Sequence, residues 1–324
     1  MSLPTVGLDI GKATFHAVLL INGKNLRRAL PNTAAGHTQV LSWLAQKGAA
    51  KAQACMEATG SYGQALAMRL YQAGHIVSVV NPARIKAFAR SAGERNKTDR
   101  RDAAIIARFC QVMQPDPWTP PEADELLLQK LSRRRDDLKA MRRQEENRKN
   151  TPETAQTVVQ SIEAIIEVLN AQTTEIERQI AELIEKNARL RREHDLLTGI
   201  KGIAHDTAVT VMAEVGNVAR FHDARQLAAY AGLTPKNNQS GTSVNKKTHL
   251  SKCGNARLRS ATFYPAMVAM RYNPIVRAFA ERLRKAGKPN MEIVGAAMRK
   301  LIHIIYGVLN SGMPFDPNFQ PIHP

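Results

Sequence analysis

The chain has 324 residues, with Lys+Arg 46 against Asp+Glu 28, a formal net charge of +18. Its hydrophobic content of 44% is that of an ordinary globular protein, and no apolar run approaches the roughly 18 residues of a membrane span. The N-terminal MSLPTVGLDIGK has no basic segment followed by an apolar one, as a secretion signal would, and Cys55, Cys110 and Cys253 lack CxxC or Cys/His zinc spacing, so reduced thiols in a cytoplasmic protein are expected.

The charge is unevenly placed. Residues 1–110 hold 15 basic and 5 acidic residues, 111–195 hold 14 and 17, and 196–324 hold 17 and 6. Two basic blocks flanking a near-neutral middle favour a polyanionic partner, most simply nucleic acid.

In chain order, PTVGLDI (4–10) and FHAVLLI (15–21) read as short apolar strands joined by the turn GKAT, and NGK (22–24) is a second hairpin signal. A helix is expected near 35–47, a strand at 52–57, a helix at 62–73, a strand at 75–80 and helices at 83–91 and 99–113. This β-β-α-β-α-β-α order implies a mixed sheet with helices packed on it. The proline-rich PDPWTPP (115–121) marks a boundary. Beyond it a long polar helix containing RRRDD runs to about 149, NTP (150–152) turns, and 153–192 is heptad-like. There Ile162, Ile166, Leu169, Thr173, Ile176, Ile180, Leu183, Asn187 and Leu190 step by fours and threes, with Thr173 and Asn187 as polar core positions. The pair of helices predicts an antiparallel coiled-coil arm, either a self-association or nucleic-acid element or a plain helical hairpin. GIKGI (199–203) lies between two helical patterns, as in a helix-hairpin-helix that brings backbone N–H groups to phosphates, or an ordinary corner. A short helix (223–231), a 24-residue loop (232–255) rich in Lys, Ser, Thr, Asn and Gly, and helices at 255–271, 274–286 and 290–311 follow. The expected division is 1–115, 116–195 and 196–324.

The five acids of the first basic block are Asp9, Glu57, Glu94, Asp99 and Asp102. Asp9 lies on the first strand, and Glu57 ends a later strand in MEATGSYG. Asp99 and Asp102 are three apart on one helix face, with Thr98 as a candidate N-cap. A lone carboxylate against an apolar strand is costly unless paired. Singly, each acid has a structural reading: a cap, a turn, or a pair with Arg100, Arg101 or Arg108. Together, on a sheet scaffold, Asp9, Glu57, Asp99 and Asp102 form a candidate site for hard divalent cations, Mg²⁺ or Mn²⁺, of the kind that serves phosphodiester transfer. Lys97, Arg100 and Arg101 beside the pair are candidate nucleic-acid contacts. Ser240, next to Gly241 in NNQSGTSVNKK, is a candidate nucleophile, with Thr242, Ser243 and Ser251 as rivals and no adjacent histidine base. Lys246, Lys247 and Lys252 are candidate phosphate contacts near it.

GLDIGKATFHAVLL, CMEATGSYG, VVNPARIKAFARSAGERNKTDRRDAAIIARF, AGLTPKNNQSGTSV…KCGNARLR and MRKLIHIIYGVLNSGMPFD together resemble the DEDD transposases of insertion-sequence family one-ten, relatives of Piv-type DNA invertases. The resemblance implies an α/β RNase H-like (RuvC-like) N-terminal domain, an α-helical coiled-coil insertion and a mostly α-helical C-terminal transposase domain. It places the family acids on Asp9, Glu57, Asp99 and Asp102, and the family serine on Ser240. It implies donor and target double-stranded DNA as partners, a noncoding bridge RNA that selects both by base pairing, and a homo-oligomer of two dimers whose sites combine acids of one protomer with the serine of another. The implied reaction passes through a 5′-phosphoserine. Aromatic content of 5% disfavours a binder built mainly on base stacking. The alternative is a RuvC-like Holliday-junction nuclease that uses water. An actin-like ATPase would need further phosphate and adenosine motifs, which are missing, and a non-enzymatic RNA scaffold would not need the four acids and the serine.

Overall fold

The computed structural model describes residues 3–58, 62–93, 99–152, 155–240 and 244–318; the side chains of 99–100, 237–240 and 244–247 are not among those described. The expected cap Thr98 and the contact Lys97 lie outside the described residues.

Residues 1–120 form one unit. In order it contains β1 (Thr5–Ile10), β2 (Thr14–Ile21), β3 (Lys24–Pro31), α1 (Ala34–Gln46), β4 (Gln53–Glu57), α2 (Gln64–Gln72), β5 (Ile76–Val80), α3 (Pro82–Ser91) and α4 (Asp99–Met113). The sheet order is β3-β2-β1-β4-β5. β1–β2 and β2–β3 are antiparallel, whereas β4 is parallel to both β1 and β5. A three-stranded meander extended on its β1 side by two parallel strands is the RNase H-like arrangement. One strand exceeds the expected order: β3, KNLRRALP, is an edge strand in which only Leu30 is buried. Edge strands tolerate charge and a terminal proline, so its sequence carries no alternation.

The two faces of the sheet are packed differently. Val6, Leu8, Phe15, Ala17, Leu19, Ala54 and Met56 join Val40, Trp43 and Leu44 of α1 and Leu66 and Leu70 of α2 in one core. On the other face, Cys55 and Val80 pack with Ile85 of α3 and Ile106, Phe109 and Cys110 of α4. The proline-rich segment runs along β5. The Trp118 N–H donates to the Val77 carbonyl at 2.6 Å, and Ser78 Oγ donates to the Pro115 carbonyl at 3.0 Å.

Residues 121–324 form a second unit. α5 (Ala123–Lys149) and α6 (Gln156–Lys186) make the expected antiparallel arm, cross-linked by Lys139–Glu177 at 2.8 Å and Lys149–Glu163 at 2.7 Å. Of the two polar heptad positions, Thr173 lies inside α6 and Asn187 does not. Thr173 is buried and donates to the Leu169 carbonyl of its own helix at 2.7 Å. Asn187 ends α6 with φ −105° and ψ 108°, caps α7 (Ala188–Thr198), and its Nδ2 donates to Asp124 at 2.7 Å. An asparagine side chain that satisfies the first N–H groups of the next helix makes a better break than a core residue.

α8 (His205–Val215), a 3-10 turn (Val218–Arg220) and α9 (Ala224–Tyr230) follow. Gly202, between α7 and α8, has φ +109°, and a Cβ there would come within 3.0 Å of Ala269 Cβ and the Pro265 carbonyl. Gly202 of GIKGI therefore allows the turn to pack against a later helix. The expected long loop is instead a hairpin, β6 (Pro235–Ser240) and β7 (Val244–Leu250), with an irregularity at Lys236/Asn238. Its sequence, PKNNQS and VNKKTHL, is polar at most positions, so no alternation marks it. The chain ends with α10 (Ala256–Ala261), α11 (Phe263–Tyr272), α12 (Pro274–Lys285) and α13 (Asn290–Ser311). The expected single helix 255–271 is thus divided at Thr262. The core gathers α5 to α13, from Leu128 and Ile180 through Val211 and Leu258 to Leu301 and Ile305. Among the described residues no helix is long and apolar enough to cross a membrane.

The polar run RRRDD of α5 ties the arm to α8 and α10, with Arg135 its one buried member. Arg133 grips Glu214 of α8 through two hydrogen bonds of 2.9 and 3.0 Å, and Asn255 Nδ2 donates to the same carboxylate at 2.7 Å. Arg135, 2% exposed, donates to Asp206 at 3.3 Å and to Thr210 Oγ1 at 3.1 Å, and Arg257 bridges Asp136 and Asp137. Burial works against the Glu214 charge, but the Arg133 and Asn255 hydrogen bonds outweigh it and hold its pKa below the ordinary value. A lowered folded-state pKa stabilises above the unfolded value and ceases to do so as pH falls through the folded one. Glu214→Gln is therefore expected to cost about 3 kcal/mol near neutral pH. Urea melts followed by helical circular dichroism should show the wild-type advantage constant above pH 4.5, the ordinary glutamate value, and shrinking below it.

Candidate functional site

β1 alternates two destinations. Val6, Leu8 and Ile10 enter the core under α1 and α2, so Thr5, Gly7 and Asp9 face the other way, towards α4. The β1–β4 ladder pairs Gly7 with Cys55 and Leu8 with Met56. One further step brings Asp9 level with Glu57. Level residues on adjacent strands share a face, so the two half-buried carboxylate residues rise side by side from neighbouring strands about 4.8 Å apart.

α4 lies on that same face. A Cβ on Gly7 would stand 2.2 Å from the Ala103 carbonyl and 2.3 Å from the Ala107 N, so the helix backbone rests on the strand where the side chain is missing. Asp102, half-buried, immediately precedes Ala103, and Asp99 opens the helix. The fold thus brings Asp9, Glu57 and the acid-bearing end of α4 to one sheet face. Among the described residues no three His, Cys, Asp or Glu side chains converge as a formed metal cage; the Asp99 side chain is not among them. Carboxylates on two adjacent strands and a covering helix supply the hard oxygen donors that Mg²⁺ or Mn²⁺ takes.

His16 is a neighbour the sequence reading missed. It stands directly opposite Asp9 in the β1–β2 ladder, on the same face. The signal was present: a turn centred on Gly11–Ala13, closed by the Gly11 N–H to Thr14 carbonyl bond of 2.9 Å, forces the pairing of residues 9 and 16.

The other candidates are dispersed. Arg101 is exposed on α4, and Arg100 is on the same helix. Ser240 is the last residue of β6, paired with Val244 at the tip of the hairpin; its rivals Thr242 and Ser243 lie outside the described residues. Ser251 instead sits at the hairpin base, its N–H bound to the Thr234 carbonyl at 2.9 Å. Lys246 pairs with Asn238 in the ladder, and Lys247 follows it. Lys252, exposed with φ +53°, closes the hairpin exit through its N–H to the Gly232 carbonyl at 3.0 Å.

A family model described as "Transposase", that of the IS110 DEDD enzymes, matches residues 6–151, and one described as "Transposase IS116/IS110/IS902 family" matches 194–281. The pilin gene-inverting proteins of Moraxella bovis and Moraxella lacunata are each 33% identical over 321 residues, 98% of this chain and 98% of theirs. The chain belongs to the IS110 family of DEDD transposases. It is accordingly an enzyme that cuts and rejoins DNA, related to the Piv-type inverting proteins. An IS110 insertion-element protein of Streptomyces coelicolor is 30% identical over 163 residues, 50% of the transposase and 39% of that protein. T. thermophilus RuvC in complex with Holliday junction substrate matches 36% of the chain and all of its own at 14% identity, with a TM-score of 0.27.

The contact at Gly7 is testable. Both tryptophans, Trp43 and Trp118, are in the first unit, so tryptophan fluorescence reports its unfolding. Gly7→Ala should lower the stability read this way by about 3 kcal/mol, since neither partner of the clash is a flexible side chain. Gly307→Ala, at an open helical position of α13, should raise stability by roughly 0.5–1 kcal/mol in the circular dichroism melt.

Proposed function

We propose that the transposase joins donor to target DNA through a covalent 5′-phosphoserine on Ser240, at a site completed by Asp9, Glu57, Asp99 and Asp102. The observation that carries this reading is the placement of Asp9 and Glu57 at level positions on one sheet face beneath α4, the helix that bears the other two acids. Two strand-borne carboxylates beside the end of the helix that carries two more acids, in a basic protein, favour a divalent cation over mutual repulsion. Asp9, Glu57, Asp99 and Asp102 would hold Mg²⁺, which would supply charge neutralisation for the scissile phosphate and the leaving oxygen.

In the step itself, Ser240 Oγ attacks the phosphorus, the bond from phosphorus to the 3′ oxygen breaks, and a bond from Oγ to phosphorus forms. Oγ loses one proton and the 3′ oxygen gains one. One phosphodiester replaces another, so the bond is conserved for religation without ATP. Lys246, Lys247 and Lys252 position backbone phosphates near the serine, and Lys97, Arg100 and Arg101 do so near the acids. By role the chain divides into the acid-bearing domain (1–115), the helical arm (116–195) and the serine-bearing domain (196–324). The family resemblance supports a noncoding bridge RNA that pairs with both DNAs, a pair of dimers whose active sites take acids and serine from different protomers, and a cytoplasmic location.

The test is a denaturing gel of the protein incubated with Mg²⁺, its flanking noncoding RNA and labelled donor and target DNA. A DNA–protein adduct is expected with the wild type, reduced more than about a thousandfold by Ser240→Ala or Glu57→Ala and absent with a chelator. Cleavage without an adduct, unchanged by Ser240→Ala, would establish a water-using junction nuclease instead. His16→Ala, which removes the side chain opposite Asp9, should slow adduct formation about tenfold to a hundredfold, with unfolding by tryptophan fluorescence near that of the wild type.

A further inference from the structure

At the base of the serine-bearing hairpin the second unit has a groove of about 800 Å³ between β7 and helices α12 and α13. Its volume lies in the range that accommodates a ligand-sized group, about 300–1,000 Å³. Two kinds of wall meet in it. Leu250, Phe279 and Met291 supply apolar surface, with Met291 68% exposed, while Lys288, Arg299 and Lys300 supply cations. Against these three cations the groove holds one carboxylate, that of Glu292. The apolar floor exists because Gly295 lets α13 lie against the hairpin: a Cβ there would be 3.1 Å from Leu250 Cδ1.

Two further features mark the groove as a place for a polar guest. His303 also lines it, and its buried Nε2 has no hydrogen-bond partner. Burial, then Arg299 and Lys300, hold this imidazole below its ordinary pKa, so the field that disfavours another cation is one that favours a phosphate. Arg299 uses one nitrogen on the Leu233 carbonyl at 3.3 Å, and a guanidinium has further donors.

An apolar wall beside a cationic rim matches a nucleotide, whose base is flat and apolar on its faces and whose phosphates are anionic. A paired base is already stacked on both sides, so the fit is to an unpaired one. The groove is also near the chemistry. Thr248, on its rim, is four residues along β7 from Val244, the ladder partner of Ser240, or about 13 Å at strand rise. A few nucleotides of a single strand span that distance. We propose that this groove takes an unpaired base of a DNA strand, with its flanking phosphates on Lys288, Arg299 and Lys300, a few nucleotides from the phosphate presented to Ser240. The choice of DNA rests on the reading of Ser240 as the nucleophile.

The test uses the full chain carrying Ser240→Ala, so binding is read without chemistry. It is irradiated with oligonucleotides containing 5-iodouracil: single-stranded DNA, RNA of the same sequence, and fully paired duplex DNA. The single-stranded DNA is expected to crosslink to peptides of β7, α12 or α13. Lys288→Glu with Lys300→Glu should reduce that yield at least tenfold, and so should Ala296→Phe, which fills the groove; the charge pair keeps the test valid if the filled groove does not fold. Crosslinks confined to other elements, equal yields in the variants, or equal yields from the paired duplex would overturn the proposal. A preference for RNA at the same peptides would overturn the choice of DNA. Should the adduct assay fail while the groove crosslinks persist, the serine reading falls and the groove stands.

Discussion

A helix backbone can rest directly on a β-strand only where the strand has no side chain, and Gly7 is that place. The Ala103 carbonyl and Ala107 N occupy the volume a Cβ would need. The contact fixes both the height and the register of α4 on the sheet, and with them the position of Asp102, one residue before Ala103. The alternation of β1 then puts Asp9 on the same face two residues after Gly7. A single absent side chain therefore sets the relation between strand-borne and helix-borne acids, and small helix residues at 103 and 107 complete it. Bulkier residues at any of these three positions would lift the helix and separate the acids.

A second constraint organises the other unit. The carboxylate of Glu214, 3% exposed, accepts from Arg133 of the arm and from Asn255. Asn255 caps α10 immediately after the hairpin returns to the body, and its N–H binds the Tyr230 carbonyl at 2.6 Å. The root of the arm and the exit of the hairpin therefore share one buried anion. A buried charge is costly without partners, and removing any of them leaves the rest unsatisfied. A load on the arm and a displacement of the hairpin base consequently act on the same group.

Much of the first unit was legible because its strands are apolar and its turns are strongly signalled: β1, β2, β4 and β5 and the four helices fall within two residues of expectation. β3 and the β6–β7 hairpin were not, for one shared reason. Both are polar at most positions, so KNLRRALP and PKNNQS/VNKKTHL carry no alternation for a reader to find. RRRDD hides the opposite case. A run of charges reads as a solvated face, yet Arg135 is among the most buried side chains because Asp206 and Thr210 receive it. Pattern reveals what is apolar and inside; it does not reveal polar groups that are inside because they are paired. At the site, the acids were legible because they are few in a basic segment and two of them fall on apolar strands, whereas His16 needed the hairpin register.

The same logic explains why Glu57 ends a strand instead of lying within one. In QACME the buried run stops at Met56, and Glu57 stands at the last ladder position, level with Val80, where the sheet gives way to the loop. One residue earlier on the same strand, a carboxylate would enter the core with Leu8 and Leu66. Two residues earlier it would replace Cys55 under Ile106 and Phe109. Asp9, one residue short of the end of β1, meets the same limit. The ends of the parallel strands are where a sheet offers rigid backbone without full burial, so an anionic site can be held firmly there at small desolvation cost. The acids occupy those ends because the interior of the sheet would neutralise or expel them.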